Sequence, residues 1–238
     1  MGAIGGVVLQ HEPTAPPDLF AEWLVERGVP FEVRRVWEQG PPPDLRELAW
    51  VCALGSDSTP GQPDPPEWME EELASLGRAL SEDVPILGLC FGGQALAAAA
   101  GAAIHPADPP EVGWFEIETA EAGLIPAGPW LHFHYDQLEL PAGAVELARS
   151  PAGVAAFSLG RSLGLQFHPE VTPDLADSWA EAERERIEPL GFRVETIAAD
   201  GEGAGRTAAE AARRLFDGWW QRAAIAGAPA VSEGHTHP

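Results

Sequence analysis

The stretch Val84-Pro-Ile-Leu-Gly-Leu-Cys-Phe-Gly-Gly-Gln94, with the alanine-rich run Ala95 to Ala100 behind it, does most to limit what this chain can fold into. An apolar run reaches Gly88, Cys90 stands two residues on, and Gly92 and Gly93 follow before a helix-favouring segment begins. The pattern reads as strand, sharp turn and helix, a nucleophile elbow written Gly-x-Cys-x-Gly with Cys90 at its apex. Such a turn holds the apex residue in a strained backbone region, and the flanking glycines remove Cβ atoms that would collide there. The helix that follows aims its N-terminus at the sulfur, an arrangement suited to a sulfur nucleophile. Far downstream, Gly164-Leu-Gln-Phe-His-Pro-Glu170 is a second apolar run, ending in His168 and Glu170. Cysteine, histidine and carboxylate at strand ends are the parts of a cysteine-based acyl-transfer site.

The rest of the chain supplies a frame for that elbow. Ile4 to Leu9, Val29 to Val36, Leu48 to Leu54 and Val84 to Leu89 read as buried strands. Helical segments separate them, from Pro16-Pro17-Asp18 to Glu26 (closed by Gly28) and from about Pro66 to Leu80. Strands alternating with helices of this length predict an α/β fold with a parallel sheet covered on both faces. Past Gly101 the pattern changes. Val112 to Glu118, Trp130 to His134, Val145 to Arg149, Val154 to Leu159 and Ser162 to Phe167 are short strands punctuated by Gly and Pro, which predicts an antiparallel extension of the sheet. Two helices, about Pro173 to Glu188 and Thr207 to Ala224, close the fold. The length of 238 residues suits one sizeable domain over 1–226, with the small, polar segment 227–238 expected to be a flexible tail.

Composition removes several function classes. Hydrophobic residues make up 45%, too many for general disorder. A formal net charge of -23 argues against nucleic acid, whose phosphates reward basic clusters. All 14 basic residues are arginine, so neither a Schiff-base lysine nor the lysine of a Walker A loop is available. No apolar run approaches a transmembrane length and no basic-then-apolar leader opens the chain, so a cytoplasmic location and no membrane partner are expected. Cys52 and Cys90 are too few for a disulfide framework; Cys52 reads as a small core residue. The acidic clusters at Glu67 to Glu72 and Glu181 to Glu185 read as solvated helix faces.

Metal chemistry is not expected. His168-Pro-Glu170 matches half of a zinc-deaminase signature, but no Pro-Cys-x-x-Cys follows it. His132 and His134 alternate along one strand and so share a face, yet no third ligand stands near them at metal spacing. His235 and His237 read as solvated.

Four segments together carry a family signature: Gly88-Leu-Cys-Phe-Gly-Gly-Gln94, Glu111-Val-Gly-Trp114, Phe133-His-Tyr-Asp136 leading to Leu140-Pro-Ala-Gly143, and Gly164-Leu-Gln-Phe-His-Pro-Glu170. In that order, over about residues 3 to 225, the chain resembles the class I (triad) glutamine amidotransferases, most closely stand-alone members similar to the amidotransferase domain of GMP synthase. The resemblance implies a flavodoxin-like three-layer sandwich with a largely parallel, mixed central sheet, and no cofactor. It implies Cys90 as nucleophile, His168 as proton carrier and Glu170 as its orienting acid, passing through a γ-glutamyl thioester and releasing ammonia. It implies an oxyanion hole from the backbone N–H groups of Phe91 and the loop at Gly55, with Gln94, Tyr135 and Asp136 gripping the substrate. The family places a Gly-Gly pair where this chain has Gly55-Ser-Asp-Ser58, which puts a negative charge, Asp57, near the reacting centre. No synthase-like segment is visible in the 238 residues, so the expected partners are glutamine or another γ-glutamyl compound and a separate ammonia-accepting synthase. A γ-glutamyl peptide or amine hydrolase with the same triad, and a catalytically silent binding homologue, are the alternatives.

Overall fold

The computed structural model describes residues 5–42 and 44–223. Ile4 and the segment 227–238 therefore lie outside the described residues. The first half alternates as predicted: β1 (Gly6–Gln10), α1 (Asp18–Glu26), β2 (Phe31–Arg35), a one-turn α2 (Val36–Gln39), β3 (Val51–Ala53), α3 (Met69–Ser81), β4 (Ile86–Leu89) and α4 (Phe91–Ala99). The second half holds β5 (Ile104–Phe115), β6 (Glu118–Thr119), β7 (Trp130–Leu138), β8 (Val145–Ser150), β9 (Gly153–Leu159) and β10 (Ser162–Leu165). Helices α5 (Pro173–Ala182), α6 (Arg184–Ile187) and α7 (Val194–Arg222) follow.

An eight-stranded sheet runs β2-β1-β3-β4-β10-β9-β8-β6. Its first five strands are parallel, and β9, β8 and β6 continue it antiparallel. This is the expected α/β fold with a mixed, mostly parallel central sheet flanked by helices. Side chains alternate across each strand, and the cores follow that alternation. Val8, Cys52, Leu87 and Leu89 join Phe20 and Trp23 of α1 and Phe216 and Trp219 of α7 on one face. Val7, Leu9, Val51 and Ile86 join Met69 and Leu76 of α3 and Phe91 and Leu96 of α4 on the other.

Two expectations about the second half need correction. Of the segment from Val112 to Glu118 only Glu118, in β6, joins the main sheet; the rest of the strand, in β5, and Trp130 to His134, in β7, pair with each other in a separate two-stranded sheet. Burial explains the difference. Val112, Trp114 and Leu131 cover Ala176 and Ala180 of α5 and Ile197 and Ala204 of α7, a third core that the main sheet could not reach. The final helices also differ. The first breaks at Glu183, and α7 begins at Val194 rather than Thr207 and runs for 29 residues. Gly201, Gly203 and Gly205 hide this early part in the sequence, because glycine disfavours helix by about 1 kcal/mol per residue; buried Ile197 and Ala204 recover that cost. Among the described residues no helix is long and apolar enough to cross a membrane.

Candidate active site

Parallel strands leave their carboxyl ends on one rim, and that rim is where α/β folds place reacting groups. β4 ends at Leu89, and Cys90 follows with φ 50° and ψ -105°, a positive φ that a side-chain-bearing residue rarely adopts. The turn is fixed from several directions. The Cys90 N–H donates to the Leu165 carbonyl of β10 at 2.9 Å and the Gly92 N–H to the Leu54 carbonyl at 3.1 Å. A Cβ on Gly92 would fall 2.0 Å from the Ala53 carbonyl oxygen, and one on Gly93 2.3 Å from that of Leu165. Glycine is required at both positions because α4 lies directly against β3 and β10. Helix α4 starts at Phe91, so Cys90 stands at its N-terminal end, where the helix dipole is positive.

β10, parallel to β4, delivers the second group. The His168 N–H donates to the Leu131 carbonyl at 2.9 Å, tying the strand end to β7. His168 Nδ1 lies 2.8 Å from Glu170 Oε1, both buried, and the ring lines the same cavity as the Cys90 side chain. Burial alone would lower the pKa of His168, but the charges of Glu170 and Cys90 outweigh it and raise it to about 10. Imidazolium is therefore the form the site favours at neutral pH. Cys90, far in sequence from His168 and Glu170, meets them here, so that sulfur, imidazole and carboxylate form one chain across the rim. Such a chain can pass a proton between a sulfur and a bound group while the carboxylate holds the ring in place.

Gly55 and Phe91 flank the sulfur as expected. A Cβ on Gly55 would stand 2.9 Å from His168 Cε1 and 4.0 Å from Cys90 Cβ, so only glycine lets the loop approach this closely. The Ser56–Ser58 part of the loop is held by a residue that carried no sequence signal. Glu12, just past β1 on the same rim, accepts a hydrogen bond from Ser56 Oγ at 2.7 Å and another from the Asp57 N–H. Burial raises the Glu12 carboxyl, with the loop's hydrogen bonds opposing it. Asp57 itself is exposed.

The remaining expected residues gather beside Cys90. Gln94 Nε2 donates to the Asp136 carbonyl and to Gln166 Oε1, both at 3.3 Å. Asp136 Oδ2 accepts from Thr59 Oγ1 at 2.7 Å. Tyr135 is roofed by the Arg186 guanidinium, 3.7 Å from its ring centre. Cys90, Gln94, Tyr135, Asp136 and Arg186 line a small hollow of about 50 Å³. A larger cavity of about 460 Å³ opens beside it, bounded by Pro13, Phe133, His168, Leu175 and Trp179. Trp179 spans this cavity, donating its indole N–H to the Thr14 carbonyl at 2.8 Å while its ring meets His168 edge-on at 5.0 Å. Arg186 and Trp179 gave no local sequence signal, since each reaches the rim only through the packing of α5 and α6.

One expectation at the site is overturned. His132 and His134 do have a third acidic neighbour: Glu111, brought opposite His134 by the β5–β7 pairing. Linear spacing cannot show a partner supplied across strands, although Glu111 stood in a quoted motif. Glu111 Oε2 lies 3.1 Å from both His132 Nδ1 and His134 Nε2, and accepts from Ser150 Oγ at 2.8 Å. Its other oxygen accepts from the Ala152 N–H at 3.0 Å. Burial would raise the Glu111 carboxyl, but the two histidines and Ala152 hold it well below the usual range, while burial lowers His132. His134 Nδ1–H donates to the Asp136 carbonyl at 3.0 Å, and His134 Nε2 lies 3.3 Å from His132 Nδ1. The carbonyl that Gln94 contacts is thus anchored from behind.

Known proteins match this arrangement. The family model for class I glutamine amidotransferases matches residues 58–181. A GMP synthase [glutamine-hydrolyzing] from Aeropyrum pernix is 37% identical over 126 residues, covering 47% of this chain and 24% of that protein. One from Helicobacter pylori is 36% identical over 102 residues, 40% of this chain and 20% of that protein. The chain thus spans about a quarter or less of the length of these curated relatives. Among solved structures, a glutamine amidotransferase from Methylobacillus flagellatus superimposes with a TM-score of 0.85 at 23% identity, over 100% of this chain and 99% of that one. One from Thermotoga maritima gives 0.81 at 20% identity, over 94% and 99%. With the family model covering more than half of its length and the fold reproduced end to end, this chain belongs to the class I glutamine amidotransferase family.

Proposed function

We propose that the protein hydrolyses a γ-glutamyl amide through Cys90, His168 and Glu170. The observation that carries this reading is that Cys90 and His168 face one cavity at the carboxyl rim of the sheet, with His168 Nδ1 held 2.8 Å from Glu170 Oε1. With His168 already holding the proton, the Cys90 sulfur attacks the amide carbon. The oxyanion that forms is held by the Phe91 N–H and a backbone N–H of the Gly55 loop, which Glu12 keeps in place. His168 then protonates the departing nitrogen, the C–N bond breaks, and a γ-glutamyl thioester remains on Cys90. Water, relieved of a proton by His168, attacks the thioester, releasing glutamate and restoring the thiol. Glu170 keeps the imidazole turned toward the sulfur throughout.

A nucleophilic thiol fits a reducing, cytoplasmic setting, and both Cys52 and Cys90 are free. The GMP synthase relatives are several times longer than the span they share with this chain, and where ammonia is the product a synthase is its proposed receiver. A silent homologue is the weaker reading, because all three reacting positions are filled and connected.

The test is turnover and trapping. Purified protein, with glutamine and a panel of γ-glutamyl amides, is expected to release glutamate and to yield a γ-glutamyl adduct on Cys90 when quenched in acid for mass spectrometry. Cys90→Ala should lose activity by at least about 10⁴-fold, the scale on which removal of a triad member acts, while keeping its circular dichroism spectrum and melting temperature. Undiminished turnover in that variant would remove Cys90 from the chemistry.

A further inference from the structure

We infer that the amide cleaved here carries an apolar amine as its leaving group, so that the preferred substrates are γ-glutamyl amides of alkyl or arylalkyl amines rather than glutamine or γ-glutamyl peptides. This rests on the triad reading above and adds to it the identity of the departing group.

Two hollows meet at Cys90, and they differ in chemistry. The small one is polar and sets Arg186 beside Asp57 and Asp136, which suits the carboxylate and ammonium of an amino-acid head. The large one is walled by Pro13, Ala15, Pro16, Leu175, Trp179 and Ala182. His168 assigns them. It lines the large cavity and not the small one. The nitrogen that leaves must take its proton from His168, so it departs into the large cavity while the glutamyl arm lies in the polar hollow.

Size then argues against ammonia. A molecule of that size needs about the 30 Å³ share of a water in the liquid, whereas this cavity measures about 460 Å³ and falls in the roughly 300–1,000 Å³ range of small-molecule sites. Ammonia also gains nothing from an apolar wall. Charge argues against a peptide. Apart from His168 and Cys90, the ionisable groups around the cavity are Glu12, Asp57 and Glu183, all acidic, and a departing amino acid would bring a carboxylate among them. An amine with an uncharged apolar body meets neither objection. The overall reaction is balanced: the amide and one water give glutamate and the free amine, with the thiol regenerated and no change of oxidation state.

The experiment compares kcat/KM for γ-glutamyl benzylamide, γ-glutamylglycine and glutamine. It uses the full chain and an Ala182→Trp variant, in which an exposed helix residue is enlarged to fill the cavity. In parallel, a diazoketone analogue of glutamine, which has no amine leaving group, reports covalent capture by Cys90 in mass spectrometry. The expected result is capture at Cys90, a benzylamide preference of at least tenfold over both other substrates, and a fall of at least tenfold in the benzylamide-to-glutamine ratio in Ala182→Trp. Capture at Cys90 with glutamine or the peptide preferred, or with a ratio untouched by Ala182→Trp, overturns the inference and leaves the triad reading standing. Absence of capture together with absence of turnover on all three substrates overturns the triad reading, and the inference with it.

Discussion

The proton on His168 lies between two groups that carry or develop negative charge, Glu170 at 2.8 Å and the Cys90 sulfur. Because their attraction exceeds the cost of burial, the folded ring holds its proton to about pH 10, against 6.5 for an ordinary histidine. The sign of the linkage follows. A group whose pKa rises on folding contributes stability that is complete below about pH 6.5 and is lost as pH climbs through about 10. Urea unfolding at pH 6, 8 and 10 should therefore show wild type losing stability across this window more steeply than His168→Gln, which has nothing to titrate there; parallel curves would contradict it. At this scale the three residues that meet at the rim were legible in advance. Cys90 is bracketed by glycines, and His168 and Glu170 end an apolar run, so each announced itself in a few neighbouring letters. Glu12, Trp179 and Arg186 did not, because what makes them part of the rim is contact with segments far away in the chain: Glu12 with Ser56, Trp179 with Thr14 and Arg186 with Tyr135.

Among the elements, α7 shows how tertiary contact overrides propensity. Its glycines are not equivalent. A Cβ on Gly203 would meet nothing within 4 Å, whereas one on Gly205 would stand 2.5 Å from Cγ of Pro173, at the start of α5. Gly203→Ala should therefore stabilise the protein by about 0.5–1 kcal/mol, the helix cost of glycine, and raise its melting temperature by about 2 °C for a chain of this size. Gly205→Ala should lower it, since the helix must move away from α5. Differential scanning calorimetry on the two variants separates helix propensity from packing; equal shifts would show that the α5–α7 contact does not matter. The parallel β-α alternation could be read from sequence because β1, β3 and β4 are largely apolar runs buried on both sides. The destination of β5 and β7 could not. Their letters say strand, but which strand each joins is decided by the helical surface of α5 and α7 that they cover.

At the scale of the molecule, the small sheet connects the third core to the reacting rim. Glu111 on β5 holds His132 and His134 on β7, and His134 holds the Asp136 carbonyl that Gln94 also contacts. Glu111→Ala would leave several buried donors without an acceptor, each costing about 1–3 kcal/mol. The expected outcome is a clear fall in melting temperature with KM for the γ-glutamyl substrate raised at least fivefold, while iodoacetamide still alkylates Cys90. An unchanged KM would detach this network from substrate binding.

The borders of the large sheet carry a consequence of their own. At one border β2, Phe-Glu-Val-Arg-Arg, presents charged side chains, and at the other β6 is only two residues long. Neither offers a long, flat, greasy template on which a neighbouring polypeptide could hydrogen-bond and propagate. Crowded copies of this molecule are thereby discouraged from zipping into fibrils. Any protein that collects its product must recognise side chains and loops instead of borrowing a free backbone margin.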